Sequence, residues 1–164
     1  MLIRQAQSVE DLAIVKELWL EYASSLGFSL CFQGFDQELA TLPGKYAPPA
    51  GRLLLAFADD RAAGAIALRP LSDQGICEMK RLYVRPEFRG SGLGRKLVDA
   101  VLAAAHGIGH THMRLDTVAG KMDAAIRMYR GYGFREIEAY TANSQENVIY
   151  MELELSAARK GKSA

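Results

Sequence analysis

The chain is poor in the residues that would commit it to a metal, a disulfide framework or a membrane. It has two cysteines, Cys31 and Cys77. They form no C-x-x-C pair and are too few to staple a small secreted scaffold. Its histidines, His106, His110 and His112, lack a second ligand set at a spacing that metal sites use, so no metal is expected. No apolar run approaches the ~20 residues of a spanning helix, and Met1-Leu2-Ile3-Arg4-Gln5 lacks the basic-then-apolar layout of a secretory signal. A cytoplasmic protein with free thiols and no membrane contact is the expectation. Net charge is +1, so the excess of positive charge that phosphate backbones attract is missing and no nucleic-acid partner is expected. No internal repeat or low-complexity block occurs.

What is there is an ordinary globular balance. The 164 residues are 49% hydrophobic and 24% charged, which suits one domain with a real core. That domain is expected over residues 1–156, with a frayed Lys/Arg-dotted tail over 157–164. Leu2 to Ala6 reads as a strand. Ser8 is a good N-cap, with Asp11 three positions later as an imperfect capping box. Leu12, Val15, Leu18, Trp19 and Tyr22 follow at helical spacing, with Trp19 a core residue. Phe35 to Leu42 reads as a short helix stopped by Pro43-Gly44. Leu53–Ala58, Ala63–Leu68 and Ile76–Val84 read as strands separated by turns at Asp59-Asp60-Arg61 and Asp73-Gln74-Gly75. A helix over Gly94–His106, a strand over His112–Thr117 and a helix over Asp123–Tyr132 follow, with Gly133 as the natural stop. Phe134–Tyr140 and Val148–Leu155 alternate as a last hairpin. This order predicts a mixed α/β sandwich, a central sheet flanked by helices.

One stretch stands out: Val84-Arg85-Pro86-Glu87-Phe88-Arg89-Gly90-Ser91-Gly92-Leu93-Gly94-Arg95. Three glycines on alternate positions join a strand directly to a helix. Such a turn lets backbone N–H groups face inward with no Cβ in the way, at a helix start whose unpaired amides and dipole favour an anion, most plausibly a phosphate. It is no Walker loop, since no Gly-Lys-Ser/Thr closes it, and it lacks the G-x-G-x-x-G spacing of dinucleotide folds. A bland glycine-rich connection is the competing reading of the glycines alone. Arg89-x-x-Gly92-x-Gly94 after Val84-x-Pro86, however, resembles the acyl-CoA pyrophosphate loop of the GNAT superfamily, the Gcn5-related N-acetyltransferases. The resemblance runs from about Leu53 to Leu155 and holds only in outline before that.

The resemblance implies the GNAT fold, a mixed α+β arrangement with six or seven strands. The strands Ile76–Val84 and His112–Thr117 would form a splayed parallel pair, and the pantetheine of acetyl-CoA would lie between them. Leu82, Tyr83 and Val84 would offer backbone groups to the pantetheine and acyl carbonyl. Arg89, Gly90, Ser91, Gly92, Leu93, Gly94 and Arg95 would cradle the pyrophosphate. It further implies an N-acetyltransferase acting on a primary amine of a small molecule or peptide. Acyl transfer needs a neutral amine, a donor for the oxyanion and a proton for the leaving thiolate. Glu78, eleven residues before Arg89, occupies the offset of the general base in the Gcn5-like branch. Its competing reading is a salt bridge with Lys80 or Arg81. Tyr129, in Ala125-x-x-x-Tyr129-x-x-x-Gly133-Phe134, matches the family's tyrosine near the thioester sulfur, the general acid; a buried structural tyrosine is the alternative. Met122 departs from the pattern, standing where relatives often carry a pantetheine-holding asparagine, a role that a backbone group or Asp123 could take.

The segment Ser24–Pro49 covers the acceptor side in such proteins. Its aromatics Phe28, Phe32, Phe35 and Tyr46 either line that cleft or cap the core, and Glu38 and Asp36 are candidate anchors for an amine. A homodimer is expected from the family's habit. A non-catalytic acyl-CoA sensor on the same fold remains the alternative function.

Overall fold

A computed structural model describes residues 1–27, 34–143 and 145–155. Phe28 and Phe32, and the tail from 156 onward, lie outside the described residues. The elements in order are β1 (Leu2–Gln5), α1 (Val9–Ser25), α2 (Phe35–Ala40), β2 (Arg52–Ala58), β3 (Arg61–Pro70), β4 (Ile76–Val84), α3 (Leu93–Ile108), β5 (His112–Val118), α4 (Asp123–Tyr132), β6 (Arg135–Ile137) and β7 (Val148–Glu154). The strands form one sheet in the order β1-β2-β3-β4-β5-β7-β6. Every neighbouring pair is antiparallel except β4 and β5. A parallel pair needs a long crossover, and α3 supplies it.

Alternation along the strands divides the core into two layers. Leu53 and Leu55 of β2 join Ala65 and Ala67 of β3 under Val15, Leu18 and Trp19 of α1. Leu54 and Ala56 join Ile66 and Leu68 on the other face, under Leu97, Val98 and Val101 of α3. Trp19 is fully buried, as its place on the stripe implies. Phe35 and Tyr46 belong to the α1 layer, so these two aromatics cap the core.

The start of α1 carries the expected capping box. The Asp11 amide donates to Ser8 Oγ at 3.1 Å, and the Ser8 amide to Asp11 Oδ2 at 3.3 Å. Arg4 of β1 donates to both Asp11 oxygens, at 2.7 and 2.8 Å. That pair ties the first strand to the first helix. It holds the Asp11 carboxyl well below the usual carboxylate range, helped by the Gln7 amide. Helix α3 extends a residue earlier and two later than its sequence pattern suggests, and β3 runs to Pro70 rather than Leu68. The turns bordering these elements are short, and neighbouring residues simply join the ladder or the helix.

Two features of β4 shape the site. Ala65 pairs with Tyr83 and Ala67 with Lys80, so Arg81 and Leu82 together oppose Ile66. This is a β-bulge, and Arg81 sits in it at φ +60°. A bulky residue there is strained, and bulges of this kind gather next to functional sites. The second feature is the ladder to β5, which runs Ile76↔His112, Cys77↔Met113 and Glu78↔Arg114 and then stops. Beyond that point the two strands part.

Candidate active site

Where β4 and β5 separate, a cleft of about 740 Å³ opens. One wall is Met79 to Val84, the other Leu115 to Val118, and α4 closes the side with Ala125, Met128 and Tyr129. A strand edge that has lost its partner offers free amides and carbonyls to an extended ligand.

Of the residues expected to hold a cofactor, Leu82, Tyr83, Val84, Arg89 and Gly94 line this cleft. Gly90, Ser91, Gly92 and Leu93 form the turn between Arg89 and Gly94, Arg95 follows it, and none of the five is among the cleft's lining residues. Gly90 and Gly92 both have φ +82°, and a Cβ on either would meet no protein atom within 4 Å. The space in front of them is therefore open. Gly92 is the N-cap of α3 and supplies no capping side chain, which leaves the first amides of the helix for an anion. Ser91 Oγ donates to the Phe88 carbonyl at 2.6 Å and so braces the turn. Arg89 Nε donates to the Val84 carbonyl at 2.9 Å, with its guanidinium over the Tyr83 ring. Val84's carbonyl is thus used within the protein. Leu93 is buried and contributes packing, while Arg95 lies over the Tyr132 ring. The cradle fits a phosphate-bearing ligand: open space, unspent amides and two arginines at its rim.

Tyr129 lines the cleft and is 6% exposed. Its ring leans on Phe134, and among the described residues its hydroxyl has no hydrogen-bond partner. Burial, with a contribution from Tyr22, pushes its pKa up, so the phenol keeps its proton at neutral pH. Tyr22 itself, expected as part of the α1 core stripe, is half-buried and lines the cleft, edge-on to Tyr83. Burial pushes it up to about 12.

Glu78 is placed differently from expectation. It does not line the cleft, and it is 1% exposed. Arg69, directly opposite on β3, gives Oε1 both Nε and Nη2 at 2.8 Å. Tyr140 donates to Oε2 at 2.6 Å, and Lys80 Nζ lies 3.8 Å away. The salt bridge is therefore buried, and its principal partner is Arg69 rather than the neighbours Lys80 or Arg81. Arg69 and Tyr140 are nine and 62 residues from Glu78, and no local pattern joins them.

The acceptor side is corrected in the same way. Glu38 is no free anchor: Oε2 accepts from Arg81 Nε at 3.0 Å and Oε1 from the Tyr46 hydroxyl. Phe35 is buried beneath the Arg81 guanidinium, and Asp36 is exposed on α2. The polar groups that line the cleft include Lys80, Arg81, Asp116, Lys121 and Asn143. Lys80 and Arg81 are expected from the sequence only as ion-pair partners of Glu78, and the others do not stand out there, because strand charges look like a solvated face until the register is known. Met122 also lines the cleft, with Thr117 Oγ1 donating to its sulfur at 3.3 Å. Asp123 does not replace the missing asparagine, since Oδ1 accepts from the Gly120 amide at 2.7 Å.

Comparison with known proteins agrees with this geometry. A model of the acetyltransferase (GNAT) family matches residues 13–134. An uncharacterized N-acetyltransferase of Schizosaccharomyces pombe is 43% identical over 148 residues, 90% of each chain. Among solved structures, a GNAT-family acetyltransferase from Staphylococcus aureus superposes with a TM-score of 0.77 over 94% of this chain and 98% of its own, at 20% identity. The PaiA N-acetyltransferase of Thermoplasma acidophilum, solved with coenzyme A, does so with 0.71 over 94% and 99%, also at 20% identity. Among the described residues no helix is long and apolar enough to cross a membrane.

Proposed function

Since the chain belongs to the GNAT acetyltransferase family, we propose that it moves an acetyl group from acetyl-CoA to a primary amine by direct attack in the β4–β5 cleft. The observation that carries this reading is the ladder that ends at Glu78↔Arg114 and opens towards the uncapped start of α3. The thioester's pantetheine would extend along the free edge of β4. Its pyrophosphate would meet the amides after Gly90 and Gly92, with Arg89 and Arg95 adding charge. The bulge at Arg81 interrupts the β4 ladder beside the cleft, and in this scheme a backbone N–H of Leu82 or Tyr83 would face the oxyanion that forms as the amine attacks.

Tyr129 is the general acid of this scheme. Its proton goes to the thiolate as the carbon–sulfur bond breaks. Glu78 is its base, reached through water because the carboxylate is closed off from the cleft. Support for Glu78 is its position beside the first residues of the splay; Asp116, by contrast, lines the cleft and can draw the ammonium form of the acceptor.

Release of free CoA thiol from acetyl-CoA, offered with a panel of amines, tests the reading. Tyr129→Phe is expected to lower kcat about 100-fold, the lower end for a proton-transfer group, while calorimetry finds coenzyme A affinity within about threefold of wild type. Tight coenzyme A binding with no thiol release for any amine would instead favour the acyl-CoA sensor.

A further inference from the structure

The acceptor end of the cleft holds two cations, Lys80 and Arg81, each with donor capacity that the protein leaves unspent. Lys80 has an 11% exposed side chain, and its nearest carboxylate oxygen, Glu78 Oε1 at 3.8 Å, is beyond hydrogen-bond reach. That oxygen already receives both nitrogens of Arg69. Arg81 has a 4% exposed side chain. Its Nε goes to Glu38, but Nη2 is buried without any acceptor. Adjacent residues on a strand normally face opposite ways; the bulge at Arg81 breaks that alternation, and both residues line the one cleft. Buried donors left unspent are costly, and an incoming anion would satisfy them.

The neighbouring carboxylates are already partnered: Glu78 by Arg69 and Tyr140, Glu38 by Arg81 Nε and Tyr46, Glu152 by Arg114. The exception is Asp116. It stands two residues past Arg114, as Lys80 stands two past Glu78, so the two occupy matching places where the ladder opens. It too lines the cleft, and its one side-chain partner among the described residues is Asn143, at 3.4 Å. Lys80 Nζ, Arg81 Nη2 and the Asp116 carboxylate thus leave polar atoms of both signs for a ligand at this end.

We propose that the acceptor is a zwitterion, a free α-amino acid whose carboxylate is bound by Lys80 and Arg81 and whose amino group is drawn to Asp116. This rests on the acetyl-transfer reading above and names its substrate class. A carboxylate arriving on the acyl group of a dicarboxylic thioester would meet the same two cations, and the test separates that case from an amino-acid acceptor.

The test compares matched pairs with acetyl-CoA: L-phenylalanine against 2-phenylethylamine, L-leucine against isopentylamine, L-lysine against cadaverine. The amino acid of at least one pair is expected to exceed its decarboxylated partner by about 10- to 100-fold in kcat/KM, the worth of a charge-assisted bond. Lys80→Met should bring that ratio to within about threefold of one, through KM rather than kcat. Calorimetry with coenzyme A checks that the variant is folded; if it is not, Lys80→Gln should lower the ratio in the same way, whereas Asp116→Asn should raise KM for both members of each pair alike. Equal turnover of both members of every pair, or a preference for succinyl-CoA with the decarboxylated amine, overturns the zwitterion and leaves acyl transfer standing. Thiol release with none of the six compounds overturns both.

Discussion

Replacing Glu78 by Gln separates the two tasks assigned to it. The carboxylate is fully buried and receives Arg69 twice at 2.8 Å and Tyr140 at 2.6 Å. Glutamine keeps the shape and one acceptor oxygen, but it removes the charge that balances Arg69 and sets an amide NH2 against a donor. Breaking a fully buried ion pair costs about 3–5 kcal/mol. Arg69 is about a quarter exposed and can recover some hydration, so about 2–3 kcal/mol is expected here. For a chain of this size that is a fall in Tm of about 5–10 °C. Lys80 adds a second signature. Burial lowers its pKa and Glu78 opposes that shift, so removing the carboxylate should lower it further. Thermal and urea melts read the stability, and thiol release per folded enzyme reads the chemistry. A base reached through water should show a loss in kcat of about 100-fold or more, with coenzyme A affinity unchanged because Glu78 is off the cleft wall. A Tm within about 1 °C of wild type would refute the buried-clamp argument. An unchanged kcat would refute Glu78 as base while leaving the clamp intact.

Further outcomes follow from the same geometry. Gly92→Ala places a Cβ at φ +82° in space that no protein atom fills; left-handed strain should cost about 1–2 kcal/mol, and calorimetry should find coenzyme A binding weakened at least tenfold, since the Cβ enters the phosphate cradle. Asp11→Ala removes the α1 cap and the Arg4 pair together, and urea melts should show a loss of about 1–3 kcal/mol at pH 7. Asp11's folded pKa is depressed, so its contribution is present above the unfolded carboxylate value near ~3.9 and fades as pH falls towards the folded one. The wild-type advantage over Asp11→Ala should therefore shrink as the melts are taken into acid.

Much of the framework was readable in one dimension. The strand Ile76–Val84 and the helix Asp123–Tyr132 have the bounds that their residue patterns imply, and the Ser8–Asp11 box, the Trp19 stripe and the left-handed Gly92 turn behave as local chemistry dictates. These features are decided by residues three or four apart, or by alternation within a strand, and such information is present in the order of the chain itself. The glycine turn belongs with them, because its left-handed conformation is a local preference of Gly90 and Gly92.

The acceptor end was a matter for the tertiary structure alone. Glu38 and Arg81 meet across 43 residues, Glu78 and Tyr140 across 62. Lys80 and Asp116 share the cleft because β4 and β5 run parallel and then part. Each meeting depends on strand register, and a shift of one residue would turn the strand residues Glu78, Lys80 and Asp116 to the other face. The left-handed bulge at Arg81, which brings two neighbouring cations to one side, is likewise forced by how β3 pairs with β4 and not by anything adjacent in sequence. Charge spacing along a single strand looks the same whether its lysines face water or a buried carboxylate. Only packing decides which donors are spent and which remain for a substrate.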